Sequence, residues 1–348
     1  MELYIFNQSD RKLSGIVEAF EYLRWTRHYS HCGSFELKAI ATANNIALLQ
    51  IGNIIWKNDD SETGLIDFIE MTSQEQEYIT VSGRFATSFL SRRIVMGSSI
   101  LNSDLGAVVG ALISDNLLNP SIADRKINGI TYTPQVLDVP VSTQISWRNL
   151  MDAVTNLCEA ADIGIRTVFN PSIGTFDIQL YKGTQTSAVF SKEYENITEQ
   201  VFTRSISEFA NFAVVGGEGE GAERTIINVG NSSGEERYEI FVDAKDLRSE
   251  DFLDDYTAAL IFRGSQKLVE QAIIEAFDVT INQYGNLVYK VDYDVGSRIQ
   301  AVSKRWGVSL SARITEVEEN YDRDGMSLNV ILGKSLLTLS EKLKRSVE

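Results

Sequence analysis

The sequence has few of the residues that most catalytic and metal sites need. Its 348 residues include two histidines, two cysteines and four prolines. The two cysteines, Cys32 and Cys158, lie in dissimilar contexts, so they provide no disulfide framework and indicate a reducing compartment. Because proline is scarce and no segment has low complexity, we expect no long disordered linker. The length predicts two or three domains.

Long apolar runs and positive charge are also lacking. No run of about 18 apolar residues is present, so we expect no transmembrane helix. The opening MELYIFNQSDRK lacks the basic and apolar regions of a signal peptide. The net charge of −16 argues against specific nucleic-acid binding, because phosphate contacts require clustered lysine and arginine. It also argues against anionic membranes, although a passage lined with carboxylates would let DNA slide through without retaining it.

The scarcity of histidine limits the catalytic chemistry that the chain can offer. His28, His31 and Cys32 are possible zinc ligands, but no fourth ligand follows at a normal spacing. A nucleophilic triad would need the same two histidines, and no GxSxG motif is present. We therefore predict no catalytic, cofactor or metal residues. A carboxylate pair for glycoside hydrolysis stays open, because spacing in the fold decides that chemistry.

Two polar motifs and the tryptophans have simpler explanations than ligand binding. VVGGEGEGAERT at 214–225 lacks the G-K-[ST] ending of a P-loop and carries three glutamates, which favours a wide hairpin. NYDRDG at 320–325 begins like a calcium loop, but position 12 is Ile331 instead of glutamate, which favours a turn. The four tryptophans have patterned, core-like or strand settings: Trp25, Trp56, Trp147 and Trp306.

One pattern of short strands occurs near both ends of the chain. The first copy reads LLQIGNIIW, GLIDFIEM and YITVSGR, and the second reads YDVGSRIQAV, SARITEVEE and SLNVILGK. Gly52 matches Gly296, and Gly83 matches Gly333, so we predict these four glycines as the turns of a structural repeat. Residues 48–84 should then superpose on 292–334.

The segments between the two copies predict an α+β fold. We expect two similar antiparallel β-barrel domains with α/β insertions. The predicted domains are a first barrel at 1–95, a central helical and α+β domain at 96–210, and a second barrel at 211–348. Segments distant in sequence, such as 200–242, can complete either barrel.

Local signals place the helices and the intervening strands. Ser103-Asp104 is the predicted cap of a helix in LGAVVGALISDNLL, and Ser146 caps a second helix that includes Trp147. A third helix is predicted at about 250–276, followed by strands FDVTINQ and LVYKVDY. The predicted C-terminal helix is marked by its apolar spacing: Leu336, Leu339 and Leu343.

An ordered series of segments resembles one family. The segments are WTRHYSHCGSFEL (25–37), LLQIGNIIW (48–56), ITVSGRFATSFLSRRIV (79–95), SWRNLMDAVTNLCEAADIGIR (146–166), VVGGEGEGAERT (214–225), EIFVDAKDL (239–247) and VDYDVGSRI (291–299). Together they resemble the siphovirus tail proteins of the ReqiPepy type. That family is similar to phage baseplate hub proteins and to the N-terminal part of tail-associated lysins.

The resemblance implies a structural protein of the virion tail tip, made and assembled in the bacterial host cytoplasm. Such hubs form a homotrimeric ring that caps the tail tube, docks on a hexameric distal tail ring and gates DNA passage. The implied partners are the distal tail protein, the tape-measure protein and downstream tail-tip or receptor-binding proteins. Two similar barrels in each of three chains give six similar units, which would match a six-fold tube.

Two alternatives to a structural hub remain. Many relatives carry a downstream peptidoglycan hydrolase, so the first alternative is a tail-associated cell-wall hydrolase or peptidase. We expect no hydrolase domain, because the sequence stops at Glu348. The second alternative is a receptor-binding or glycan-binding tail module. The candidate inter-subunit contacts are four arginines: Arg24, Arg27, Arg92 and Arg93.

Overall fold

The computed structural model describes residues 1–73, 75–252 and 255–334. Strands are the main elements, and the chain forms two compact units. Among the described residues, unit 1 contains 1–183 and the segment Val317–Leu328, whereas unit 2 contains 184–316 and 329–334. The division into 1–95, 96–210 and 211–348 stays a prediction. The C-terminal helix predicted from Leu336, Leu339 and Leu343 lies outside the described residues.

Unit 1 consists of short strands with three helices between them. In chain order its elements are β1 (Leu3–Phe6), β2 (Leu13–Val17), β3 (Tyr22–His28), β4 (Ser34–Ile40), α1 (Ala43–Leu48), β5 (Ile54–Lys57), β6 (Thr63–Ser73), β7 (Glu77–Phe85), β8 (Ser98–Asp104), α2 (Leu105–Ile113), β9 (Ile130–Thr133), β10 (Pro140–Ser146), α3 (Leu150–Ala160), β11 (Gly164–Asn170) and β12 (Thr175–Tyr181).

The main sheet of unit 1 follows the order β2-β1-β5-β6-β7-β4-β3, with antiparallel neighbours. The sequence FELKAIA alternates in burial, because Phe35, Leu37 and Ala39 are buried while Glu36 and Lys38 are half-buried. These side chains join a core around Trp25. Burial on one face only is typical of an antiparallel sheet with one wet side.

The helices of unit 1 begin at polar caps. Asp104 caps α2, as predicted, and its carboxylate accepts hydrogen bonds from the main-chain nitrogens of Gly106 and Val139, each at 3.0 Å. For α3 the prediction of Ser146 as cap is wrong. Asn149 caps this helix by accepting from the Met151 nitrogen at 2.9 Å. Trp147 lies before the helix with a positive φ of 52° and is 65% exposed.

The described residues of unit 2 form a second set of strands and one helix. Its elements are β13 (Gln185–Phe190), β14 (Ile197–Ser205), β15 (Phe212–Gly216), β16 (Ile226–Val229), β17 (Glu239–Asp243), α4 (Tyr256–Glu270), β18 (Ile274–Ile281), β19 (Arg298–Ser303), β20 (Val308–Asp322) and β21 (Gly325–Gly333). The tip of the β20–β21 hairpin is the Val317–Leu328 segment that belongs to unit 1.

Two sheets make up the described part of unit 2. One follows the order β14-β18-β21-β20-β19-β13, in which β13 is parallel to β19. The other follows β16-β15-β17 and packs against α4 through a core that includes Val215, Val242 and Leu260. In the parts of the chain that the structure describes, neither main sheet closes on itself, so the strands form open sheets.

Two predictions in unit 2 are wrong in detail. The helix predicted at about 250–276 ends at Glu270, because IEAFDVTI forms β18 and pairs with β14 and β21. LVYKVDY does not form a strand. Lys290 has a φ of 64°, and the Asp292 nitrogen donates to the Val288 carbonyl at 2.8 Å, so this segment turns.

Candidate functional site

The repeated glycine turn has the same geometry in both units. Gly52 and Gly296 have φ angles of 86° and 85°, a region that glycine enters without a steric penalty. The Gly52 nitrogen donates to the Ile66 carbonyl at 2.8 Å, and the Gly296 nitrogen donates to the Ile314 carbonyl at 2.8 Å. The two turns are therefore equivalent in conformation and in hydrogen bonding.

The equivalence extends from the turns to the strand register. Ile54 pairs with Leu65 between β5 and β6, and Arg298 pairs with Arg313 between β19 and β20. The five strands β3 to β7 follow the order β3-β4-β7-β6-β5, and β14 with β18 to β21 follows β14-β18-β21-β20-β19. Taken in chain order, both sets have the same spatial arrangement. The chain thus contains one five-stranded motif twice, which is more than the three strands that the sequence pattern marks.

The second pair of predicted repeat residues, Gly83 and Gly333, is less alike. Gly83 lies inside β7 opposite Ile66, not in a turn, beside a register shift in β6. A Cβ at Gly83 would lie 1.8 Å from the Leu65 carbonyl oxygen. Gly333 ends β21 with a φ of 82°, and a Cβ there would lie 2.3 Å from the Glu275 carbonyl oxygen. Both positions exclude side chains, but each does so against a different neighbouring strand.

A cluster of buried charges lies next to the first copy of the motif. The β5–β6 hairpin loop carries three acids, and the Asp60 carboxylate fixes the loop by accepting from the Glu62 nitrogen at 3.0 Å. The Trp25 indole donates to the other Asp60 oxygen at 3.0 Å. The Arg27 Nε atom lies 3.4 Å from Asp60 and 3.8 Å from Glu62. All three charged side chains are buried, with exposures of 4–8%.

Lys57 connects this cluster to the Val317–Leu328 segment of the same unit. Its ammonium lies 2.6 Å from Glu319 and 2.6 Å from Asp59, and Lys57 and Glu319 are 0% exposed. The Tyr321 hydroxyl donates to Glu319 at 2.6 Å. Burial alone would lower the pKa of Lys57, but the charges of Glu319 and Asp60 outweigh it and raise this pKa. The lysine therefore stays charged inside the unit.

Glu62, unlike Lys57, is held in its neutral form. Burial and the nearby charge of Asp60 raise the pKa of Glu62 to about 8, although Arg27 opposes the shift. One arginine faces two carboxylates here, and like charges at close range cannot both ionise freely. With a proton on Glu62, the positive charge of Arg27 is balanced by the single negative charge of Asp60. Because Glu62 is only 4% exposed, its carboxyl has no open path to a substrate in this conformation.

The candidate contact arginines have different environments. Arg24 is half exposed and lies 3.7 Å from Glu318. Arg27 is buried in the cluster described above. Arg92 is exposed and its guanidinium lies 4.8 Å from the centre of the Phe89 ring, while the Arg93 side chain donates to the main-chain carbonyls of Arg125 and Arg92. Their proposed role between subunits stays a prediction.

The residues considered for chemistry are held apart or made inert. Burial raises the pKa of the Cys32 and Cys158 thiols to about 12, so neither provides a thiolate near neutral pH. His31 lies 3.6 Å from Glu159. Among the described residues no group of three or more metal-ligating side chains occurs. In the same part of the chain no helix is both long and apolar enough to span a bilayer.

The polar motifs form turns, and two tryptophans are exposed. The Gly217–Thr225 loop joins antiparallel β15 and β16, and the Glu218 carboxylate accepts from the Ser249 nitrogen at 3.0 Å. Asp324-Gly325 forms the β20–β21 turn, with a Gly325 φ of 120°. The core-like interpretation is wrong for Trp147 and Trp306, which are 65% and 48% exposed.

A family model assigns the chain to a protein family. The model described as the Siphovirus ReqiPepy6 Gp37-like protein matches residues 2–334. The chain belongs to this family. The resemblance seen in the sequence is thereby confirmed, and the chain is a phage tail protein whose family implies a structural component of the virion tail. No curated protein matches the sequence.

Solved structures of low identity share the fold. The 43 kDa tail protein of prophage MuSo2 from Shewanella oneidensis aligns with a TM-score of 0.63 at 12% identity, over 96% of this chain and 98% of that one. The prophage tail protein gp18 from Listeria monocytogenes EGD-e aligns with a TM-score of 0.63 at 10% identity, over 100% of both chains. A chain of the lidded Francisella PdpA–VgrG complex aligns with a TM-score of 0.54 at 12% identity, over 97% of this chain and 53% of that one.

The buried charge cluster is the part of the site that sequence reasoning missed. No role is predicted from the sequence for the acids of the NDDSETG segment, and Arg27 is named only as a candidate contact between subunits. Three acids in one hairpin loop, together with RWTR in a strand rich in apolar residues, were the only available signals. Neither signal identifies Glu319 or Tyr321, which approach from the far end of the chain.

Proposed function

We propose that this tail protein is the hub of the tail tip, in which three copies form a ring that caps the tail tube and docks on a hexameric tail ring. The observation that carries the proposal is the duplicated five-stranded motif, with matching glycine turns at Gly52 and Gly296. Three chains would present six such motifs. A ring of this kind can match six-fold symmetry on one side and three-fold symmetry on the other.

In this proposal the open sheets are the remaining parts of two barrels. In unit 1, β1 and β2 extend the motif beyond β5, and in unit 2, β13 extends it beyond β19. Unpaired sheet edges favour pairing with other chains. Neighbouring copies in a ring would cover these edges and complete the barrels.

The charge is consistent with a ring through which DNA passes. Three copies would carry three times the net charge of −16. Carboxylates facing the channel would repel the phosphate backbone, so DNA would pass without specific binding. The proposed partners are the distal tail protein or tube hexamer, the tape-measure protein and downstream tail-tip or receptor-binding proteins, with no stable membrane insertion.

The oligomeric state tests the proposal directly. Light scattering and native mass spectrometry on the purified chain should give three copies, and electron microscopy should show a ring that binds the distal tail hexamer. A stable monomer that binds neither the tube protein nor the distal tail protein would contradict it. Zymography on host cell wall tests the hydrolase alternative, since clearing that depends on one carboxylate or histidine would indicate an enzyme. Binding to a glycan array tests the receptor-binding alternative.

A further inference from the structure

Three arginines surround an open pocket of unit 1 with a volume of about 310 Å³. The pocket is lined by Ser91, Arg92, Arg93, Ile94, Asp124 and Arg125. Within the described part of the chain, none of the three guanidinium groups has a carboxylate oxygen within 4.0 Å. Most of the other arginines that the structure describes lie within 4.0 Å of a carboxylate oxygen. This pocket therefore holds a local excess of positive charge.

Two of the arginines, Arg93 and Arg125, are held in place by main-chain groups, not by acids. Arg93 donates from Nε to the Arg125 carbonyl at 2.6 Å and from Nη1 to the Arg92 carbonyl at 2.8 Å. Arg125 donates from Nη2 to the Ile94 carbonyl. Neutral acceptors fix the side chains without cancelling their charges. The remaining donors are thus preorganised for an anion, which lowers the entropy lost on binding.

The backbone around the pocket is fixed as well. The Asn149 side chain, which caps α3, donates to the Ser91 carbonyl at 2.9 Å. The Leu150 nitrogen donates to the Arg93 carbonyl at 2.9 Å. Partial burial lowers the pKa of the Arg92 guanidinium, Asp67 opposes this shift, and Arg84 and Arg93 add to it. An incoming negative charge would relieve the crowding of positive charges.

We propose that this arginine pocket binds a carboxylate of an acidic peptide segment from another tail subunit. Ile94 lines the pocket and is 45% exposed, so the site offers apolar contact beside the guanidinium groups. That combination suits a glutamate next to an apolar residue. A DNA backbone is less suited, because it needs a stripe of positive charge along its length. The identity of the partner as a tail subunit rests on the proposed hub function, whereas the chemistry of the pocket does not.

Fluorescence anisotropy with the intact chain tests the pocket. The probe is a fluorescein-labelled hexapeptide of alternating leucine and glutamate, and the matched probe has glutamine in place of glutamate. We expect the glutamate peptide to bind at low salt, more weakly as salt rises. Arg92→Gln should weaken binding at least about tenfold, since a charge-assisted contact is lost. Arg248→Gln, an exposed arginine in unit 2, provides the control and should leave binding unchanged.

Several results would contradict the pocket proposal, and they can be told apart from results that contradict the hub proposal. Equal binding of the two peptides, or equal affinity in Arg92→Gln and the unchanged chain, would overturn the proposal. Competition by inorganic phosphate or a single-stranded oligonucleotide at lower concentrations than the unlabelled peptide would overturn it in favour of a phosphate ligand. Ring formation is measured separately by light scattering. A ring without peptide binding removes only the pocket proposal, and peptide binding by a stable monomer removes only the hub proposal.

Discussion

Lys57 and Glu319 lie 262 residues apart in the chain and form a buried ion pair, with 2.6 Å between the ammonium nitrogen and a carboxylate oxygen. Lys57 ends β5, beside the first copy of the motif, whereas Glu319 lies on the segment of β20 that belongs to the same unit. Both side chains are fully buried. The pair therefore fixes a late segment of the chain against an early one through charge.

We expect Lys57→Met to destabilise unit 1 by about 3–5 kcal/mol, because it leaves the Glu319 carboxylate buried without its cation. Urea unfolding followed by tryptophan fluorescence measures the change. Asp59→Asn provides the control, because Asp59 is half exposed and its contribution is reduced by solvent to about 0–1 kcal/mol. A loss below about 1 kcal/mol for Lys57→Met would show that the pair contributes little.

The proton on Glu62 predicts a pH dependence of stability. The pKa of Glu62 is raised to about 8 in the folded chain, above the value of about 4.3 for an unfolded glutamate. The folded state thus binds more protons, and the stability from this group is present below the unfolded pKa and is lost as pH rises toward 8. Glu62→Gln, which keeps the neutral shape, should flatten the decline.

Urea unfolding at pH 5, 7 and 9 checks this prediction. The free energy of unfolding of the unchanged chain should fall across this range by more than that of Glu62→Gln. Glu36→Gln, on the half-buried face of β4, serves as a control with the same change of charge. Parallel pH profiles for the chain with and without Glu62→Gln would contradict the assignment of a proton to Glu62.

The repeat was predictable because its signals are local. A glycine at a positive φ, a short strand before a polar loop and an alternating strand after it occur in both copies, and each is determined by neighbouring residues. The Asp104 cap and the alternation of Phe35, Leu37 and Ala39 belong to the same class. The extension of the repeat to β3–β4 and β14–β18 was not predicted, because long insertions separate β14 from the later strands of the second copy.

The buried charges could not be predicted because distant residues neutralise them. In the sequence, Asp59, Asp60 and Glu62 form an ordinary polar turn, and only the fold brings Arg27, Lys57 and Glu319 to them. The C-terminal end of α4 was misjudged for a different reason. Short apolar runs fit helical and strand spacing equally well, so the predicted helix extended over Ile274–Ala276, which pairing with β14 and β21 places in β18, whereas the strand predicted for FDVTINQ is present up to Ile281.

We expect Gly83→Ala to be more damaging than its small volume suggests. A Cβ at this position would lie 1.8 Å from the Leu65 carbonyl oxygen, a main-chain atom of β6 that cannot rotate away. Overpacking of this kind costs about 1–3 kcal/mol, and the backbone contact favours the upper end. Ser82→Ala, one residue earlier in β7, should change stability by less than about 0.5 kcal/mol. Thermal and urea unfolding compare the two, and equal effects would argue against the close approach of β6 and β7.

Arg24 and Arg27 lie in one strand, and their variants distinguish a role in folding from a role between subunits. Arg24 is 53% exposed and Arg27 is 6% exposed at their side chains, although both lie in β3. Arg27→Met leaves the Asp60 carboxylate buried without its cation and should cost about 3–5 kcal/mol. Arg24→Gln removes a solvent-screened pair with Glu318 and should cost about 0–1 kcal/mol.

The same pair of variants predicts different responses to pH and to assembly. Because Arg27 opposes the raised pKa of Glu62, its loss should raise this pKa further, so Arg27→Met should lose more stability than the unchanged chain between pH 7 and pH 9, whereas Arg24→Gln should follow the unchanged chain. If Arg24 forms a contact between subunits, Arg24→Gln should reduce the trimer fraction in light scattering while its unfolding curve stays the same. Normal stability of Arg27→Met would contradict the buried cluster, and an intact trimer in Arg24→Gln would remove Arg24 from the candidate contacts.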